Sequence, residues 1–220
     1  MTTPTIDAQM TAIDDAVNAA FEPLRGNPQV DRAAAVVSNL ADYGLIWVAL
    51  AALKARRRGP DRRRAVVALA TAGFSSLIVS RVVKAAVERQ RPDDHLAATV
   101  RTPSSSSFPS GHTLAAFCTA FVLADSDTQT AANVGFAAAV AASRVHLKAH
   151  HPTDVIGGAA IGSVLGLGLR PLVNLVTPGS RHGRLPARAG SRRATRRRGG
   201  KRRTRDARGM DTSEVVFEQL

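Results

Sequence analysis

Five apolar runs dominate the middle of the chain and constrain its fold more than any other feature. They cover roughly residues 33–53, 65–87, 113–124, 130–145 and 155–176. A helix that crosses a bilayer needs roughly 20 mostly apolar residues. The first, second and fifth runs meet that length. The third and fourth are shorter and alanine-rich, need neighbouring residues to complete a span, and belong inside a bundle rather than against lipid. A soluble all-α protein would have to bury all five runs with too little polar surface left over. The expected fold is therefore all-α, an integral membrane bundle of about five transmembrane helices. Residues 5–25 add an N-terminal amphipathic helix, with Ile6, Met10, Ile13, Val17 and Phe21 at helical spacing. It is too polar to span and is expected to lie on the membrane or on the bundle. The mean hydropathy of -0.05 does not oppose this, because a polar head and an arginine-rich tail lower the average. In the fifth run Gly158, Gly162 and Gly166 recur every four residues, a smooth face for close helix approach in lipid.

Charge divides the chain into three parts. Residues 1–32 are polar and net acidic, 33–176 form the membrane domain, and 177–220 form a basic tail. Between Gly179 and Gly209 thirteen Lys and Arg residues face the single acid Asp206, so the tail carries nearly all of the chain's net charge of +13. A like-charged block of this kind cannot bury a core and is expected to be disordered. The loop "KARRRGPDRRR" (Lys54–Arg64) joins the first two runs and is expected in the cytoplasm by the positive-inside rule. Five spans then place the acidic N-terminus and the segments 88–112 and 146–154 outside, and the basic tail inside. The expected location is the plasma membrane, multi-pass. The one cysteine, Cys118, lies in an apolar run and reads as a small buried residue.

Three separated segments bring chemistry to the outer face. "KAAVERQRP" supplies Lys84, Arg91 and Pro92, "FPSGH" supplies Ser110, Gly111 and His112, and "SRVHLKAHHPTD" supplies Arg144, three histidines and Asp154. Fixed cations beside a membrane are costly without an anion to hold. Phosphate fits: Lys84, Arg91 and Arg144 give charge, and arginine grips phosphate oxygens in pairs. Ser110 offers a hydroxyl and a backbone N–H, and Gly111 allows close backbone approach at a helix start. Pro152 suits the first turn of a helix, so His150 sits just before that start and Asp154 in its first turn. A hydrogen bond from His150 to Asp154 would fix the tautomer and leave the other ring nitrogen as nucleophile. His112 is then free to act as general acid. The alternative is a metal stripe of His146, His150 and Asp154, four residues apart. Pro152 interrupts that helix, and the nearby cations would repel a divalent ion. His146 reads as a packing or hydrogen-bonding residue and His151 as a solvated rim residue. His95 and His182 receive no role.

In these three segments the sequence resembles the type 2 phosphatidic acid phosphatase family, which includes vanadium haloperoxidases and bacterial lipid phosphatases. The pattern is Lys84…Arg91-Pro92, then Pro109–His112, then Ser143-Arg144…His150…Asp154, over about residues 33–176. The resemblance implies an integral membrane phosphatase of a lipid phosphate or pyrophosphate. His150 would form a phosphohistidine, Asp154 would orient it, and His112 would protonate the leaving group. Lys84, Arg91, Arg144, Ser110 and the Gly111 amide would hold the phosphoryl oxygens, with no cofactor and no metal. The family often carries six spans, and an aromatic residue often stands at the positions of His146 and His151. The arginine tail is outside the pattern.

The implied partners are a lipid phosphate substrate and the membrane. The substrate classes open at this point are phosphatidic acid, polyprenyl pyrophosphate, phosphatidylglycerol phosphate and a polyprenyl-phosphoribose phosphate of cell-wall precursor synthesis. Haloperoxidase chemistry on bound vanadate is a second enzymatic reading, which the membrane bundle disfavours. A reading of another class is a membrane scaffold whose tail binds anionic lipid or nucleic acid. The tail lacks interleaved aromatics, so specific nucleic-acid recognition is not expected, and contact with anionic lipids is. Nothing in the chain sets an oligomeric state.

Overall fold

The computed structural model describes residues 5–56, 60–92, 96–97, 100 and 105–178. Among these residues every regular element is helical. Several helices start where a side chain satisfies orphan N–H groups. The Thr5 hydroxyl accepts from Ala8 at 3.4 Å to start α1 (Ile6–Phe21). Asn27 accepts from Gln29 at 3.0 Å, ahead of Pro28 in the first turn of α2 (Pro28–Ala41). After α3 (Leu45–Ala55) and α4 (Pro60–Ala86) comes α5 (Gly111–Leu123). Ser126 caps α6 (Asp127–His146) through the Gln129 N–H at 3.2 Å. Pro152 opens α7 (Pro152–Val176), as its fixed φ predicts, and the Asp154 carboxylate reaches back to the His151 N–H at 2.9 Å.

The first apolar run departs from expectation. It is two helices, α2 and α3, bent by 60° at a turn over Asp42–Gly44. Gly44 sits there at φ +67, a left-handed conformation that glycine adopts without steric cost and that ends a helix. α2 also runs through residue 33, so the N-terminal segment continues directly into the bundle. By length and composition, two helices can cross a membrane, α4 from Asp61 and α7, with α2–α3 a third if the bent pair counts as one span. α5 has 13 residues, about 20 Å of helix, short of the roughly 30 Å hydrocarbon layer. α6 has 20 residues but carries Asn133, Ser143 and Arg144.

α5 is the central helix. Its near neighbour is α7, and the glycine face explains the closeness. A Cβ at Gly158 would lie 2.7 Å from the Ser110 carbonyl oxygen, at Gly162 2.4 Å from that of Leu114, and at Gly166 2.7 Å from that of Cys118. Every fourth residue from Gly158 to Gly166 thus yields its side-chain space to the backbone of α5 and its cap. Around α5 the core is mostly small: Ala65, Ala68, Ala72, Ala116, Cys118, Ala120 and Ala137, with Trp47 edge-on to Phe136 at 5.7 Å. Large apolar side chains point outward instead, among them Phe74, Leu77, Val82, Val164 and Leu175. That inversion suits a lipid solvent.

The end of the bundle at the C-terminus of α5 is closed by charge. Arg64, 2 % exposed, donates to Asn174 Oδ1, Asp125 Oδ1 and the Val122 carbonyl. Lys54 donates to the Leu123 carbonyl at 2.7 Å and pairs with Asp125. The last carbonyls of α5 are thereby satisfied. The N-terminal segment packs on the opposite end. Arg25 donates to the carbonyls of Val145 and His146, both at 3.1 Å. α1 lies on the bundle, yet its buried residue is Asp14, while Ile6 and Ile13 remain exposed. The tail beyond Pro178, with His182, lies outside the described residues, as does His95.

Candidate active site

The motif residues meet where α4 ends, α5 begins, and α6 hands over to α7. His150, 3 % exposed, is held in the short connection after α6. Its Nδ1 lies 2.9 Å from the Ser107 carbonyl oxygen. A carbonyl can only accept, so Nδ1 carries the proton and Nε2 keeps its lone pair. Nε2 faces the Arg91 Nη1 at 3.1 Å. Burial pushes the His150 pKa down to about 3; Asp154 opposes this, and the Arg91 and Arg144 charges add to it. The imidazole is neutral at physiological pH.

Asp154, fully buried, sits beside His150 as expected, but at a longer reach than a direct hydrogen bond. Its Oδ2 lies 3.7 Å from Nδ1. Ser107 intervenes: its carbonyl takes the imidazole proton and its hydroxyl donates to Asp154 Oδ2. The other carboxylate oxygen accepts from Arg89 Nη1 at 2.7 Å.

The cations form one wall. Arg144 is completely buried and donates from Nη1 to the Ser38 hydroxyl at 2.5 Å. Its Nε and Nη2 find no acceptor among the described residues. Two unpartnered guanidinium nitrogens in the interior are expensive unless a ligand completes them. Lys84 Nζ donates to the Ser106 carbonyl at 2.5 Å, and Arg91 Nη1 also donates to the Ala149 carbonyl at 2.9 Å. Burial pushes the Arg91 pKa down, with Asp154 opposing.

Ser110 differs from expectation in its backbone N–H alone, since its hydroxyl keeps its own proton to donate. Its backbone N–H donates to the Asp154 carbonyl at 3.0 Å, and its hydroxyl accepts from Thr113 Oγ1 at 3.0 Å. The first-turn N–H groups of Gly111 and His112 have no intrahelical acceptor, the arrangement that favours an anion at a helix start. His112 Nε2 pairs with Asp42 Oδ1 at 2.6 Å.

His146 and His150 do not share a ligand. His146 Nε2 pairs with Asp31 Oδ1 at 2.7 Å. Among the described residues, no three of His, Cys, Asp and Glu gather as metal ligands. His151 is part-exposed, with Nδ1 4.0 Å from Asp14.

Sequence reading missed Ser38, Asp42, Arg89, Ser107 and Asp14. Asp42 carried a signal, an acid inside an apolar run. Ser107 lay in a serine-rich stretch with nothing to single it out.

The family model described as "PAP2 superfamily" matches residues 64–177, more than half of the chain. The chain belongs to the PAP2 superfamily. It resembles decaprenylphosphoryl-5-phosphoribose phosphatase of Mycolicibacterium smegmatis, 36% identical over 147 residues, 66% of this chain and 81% of that one. The enzyme of that name from Mycobacterium tuberculosis is 33% identical over 131 residues, 59% and 73% of the two chains. The structure is similar to a transmembrane PAP2-type phosphatidylglycerolphosphate phosphatase from Bacillus subtilis, with TM-score 0.63 and 25% identity, covering 78% of this chain and 89% of that one. As a PAP2 member this chain is a membrane lipid phosphate phosphatase, and the phosphohistidine route is general to the family.

Proposed function

We propose that this PAP2 phosphatase removes the terminal phosphate of a polyprenyl-phosphoryl-5-phosphoribose, with His150 as nucleophile. The observation that carries the catalytic assignment is the set of cations gathered at His150, with Arg91 Nη1 3.1 Å from Nε2 and, above all, the unpartnered Nε and Nη2 of the buried Arg144 among the described residues. A tetrahedral phosphoryl group has the oxygens to complete them. Arg144, Arg91, Lys84 and the first turn of α5 hold those oxygens. Nε2 attacks phosphorus, the bond to the ribose oxygen breaks, and His112 gives that oxygen a proton. Asp154 stabilises the positive charge on the phosphorylated imidazole. Water, deprotonated by His112, then attacks phosphorus, phosphate leaves, and His150 is restored.

The substrate choice rests on relatives above 30% identity that are named for that activity. Phosphatidylglycerol phosphate is the alternative, favoured by the structural neighbour. The membrane layout goes with this reading. α2–α3, α4, α5, α6 and α7 act as five spans, with the site on the extracytoplasmic face. The basic segment 54–64 and the tail from 177 lie in the cytoplasm, where the tail meets anionic lipids.

Purified protein in detergent, offered both lipids and phosphatidic acid, is expected to release phosphate fastest from the polyprenyl-phosphoribose phosphate. His150→Ala should release none. Faster turnover of phosphatidylglycerol phosphate would overturn the substrate assignment, and full activity in His150→Ala would overturn the mechanism.

A further inference from the structure

The N-terminal helix α1 places an acid behind the catalytic histidine. Asp14 is only 5 % exposed, although it stands on a mostly exposed helix. Its Oδ2 takes Arg89 Nη2 at 2.5 Å, and its Oδ1 takes the Thr153 backbone N–H at 2.7 Å. The Thr153 hydroxyl lies 3.1 Å from Oδ2, and His151 Nδ1 is 4.0 Å away. Arg89 spans the gap: Nη2 binds Asp14 and Nη1 binds Asp154. The chain of contacts runs Asp14, Arg89, Asp154, Ser107, His150. Asp14 lies outside residues 64–177, which the family model covers.

We propose that Asp14 is a positioning residue of the active site, acting through Arg89 to keep the Asp154 charge effective at His150. The inference rests on the roles of His150 and Asp154 given above. Asp154 needs an anchor, and Arg89 supplies it. A lone guanidinium beside Asp154 would also cancel the field that Asp154 exerts on the imidazole. Asp14, on the far side of Arg89, offsets that cation, so the trio keeps a net negative charge facing His150. The same carboxylate accepts an N–H of the first turn of α7, the turn that carries Asp154. A charge removed at this range in a half-dry site changes a charged transition state by about tenfold in rate.

The test compares Asp14→Asn, which keeps shape and the bond to Thr153, with wild type, Arg89→Gln, the double variant and His150→Ala. Readouts are steady-state kinetics on the polyprenyl-phosphoribose phosphate, the single-turnover rate of phosphoenzyme formation, and thermal stability in detergent. Asp14→Asn is expected to lower kcat and phosphoenzyme formation about tenfold with KM within about twofold. The double variant should be no slower than Arg89→Gln alone, because Asp14 acts through Arg89. Asp14→Glu should recover most of the rate. Unchanged kcat in Asp14→Asn overturns the proposal. So does a loss of stability with kcat and KM moving together, which marks a plain anchor of α1. Should the Asn variant fail to accumulate, Arg89→Lys cuts the same bridge with charge retained, and a wild-type kcat there overturns the proposal. An inactive wild type, or an active His150→Ala, contradicts the reading of the site itself, which separates the two failures.

Discussion

At Arg144, burial and incomplete hydrogen bonding meet in one side chain. The guanidinium is fully enclosed, and among the described residues only Nη1 finds a protein acceptor. Lysine at this place would keep the charge but lose the planar fork. Arg144→Lys is expected to lower kcat/KM by about a hundredfold; steady-state kinetics showing a wild-type value would contradict the role. His150 offers a second check, through pH. Its pKa is held at about 3, while an unfolded chain titrates near 6.5. As pH falls below about 6.5, the unfolded state binds a proton that the native imidazole refuses, so the native state loses stability down to about pH 3. His150→Asn should flatten that part of the dependence. Melting temperatures in detergent at pH 7.5 and pH 5 would show it, and a slope equal to wild type would contradict the buried neutral imidazole.

The helices were legible in the sequence wherever their signals were local. Pro152 marked the start of α7, and the glycine repeat marked the face that α5 occupies. The break between α2 and α3 was not read from the sequence, because one acid and one glycine inside an otherwise apolar run do not by themselves end a helix. The motif residues could be assigned to one site because each stands beside a helix end. The residues that support them could not. Asp14 reaches Thr153 across 139 positions, and Ser107 reaches Asp154 across 47. Only packing brings such pairs together. The glycine face carries its own prediction. Gly162→Ala would press a Cβ against the Leu114 carbonyl, and a backbone neighbour cannot swing away. It is expected to cost about 1–3 kcal/mol, read as a lowered melting temperature. Gly168 has open space around it, and Gly168→Ala should be neutral or slightly stabilising. Equal effects at the two positions would contradict the close crossing.

Over the whole molecule, charge is placed at the two ends of an apolar bundle. One end holds the cations Lys84, Arg91 and Arg144, and the other is closed by Lys54, Arg64 and Asp125. The proposed orientation puts the first end outside. In a Cys118→Ser background, a cysteine at Ser105 should react with a membrane-impermeant reagent in intact cells, and one at Asp127 should not. The reverse pattern would invert the topology.

The most direct test is to trap the phosphoenzyme. Wild-type protein mixed briefly with the labelled polyprenyl-phosphoribose phosphate and quenched in alkali should carry an acid-labile phosphate on His150, located by peptide mass spectrometry. Phosphate found on another residue, or undiminished labelling of His150→Ala, would contradict the assignment of His150 as the nucleophile.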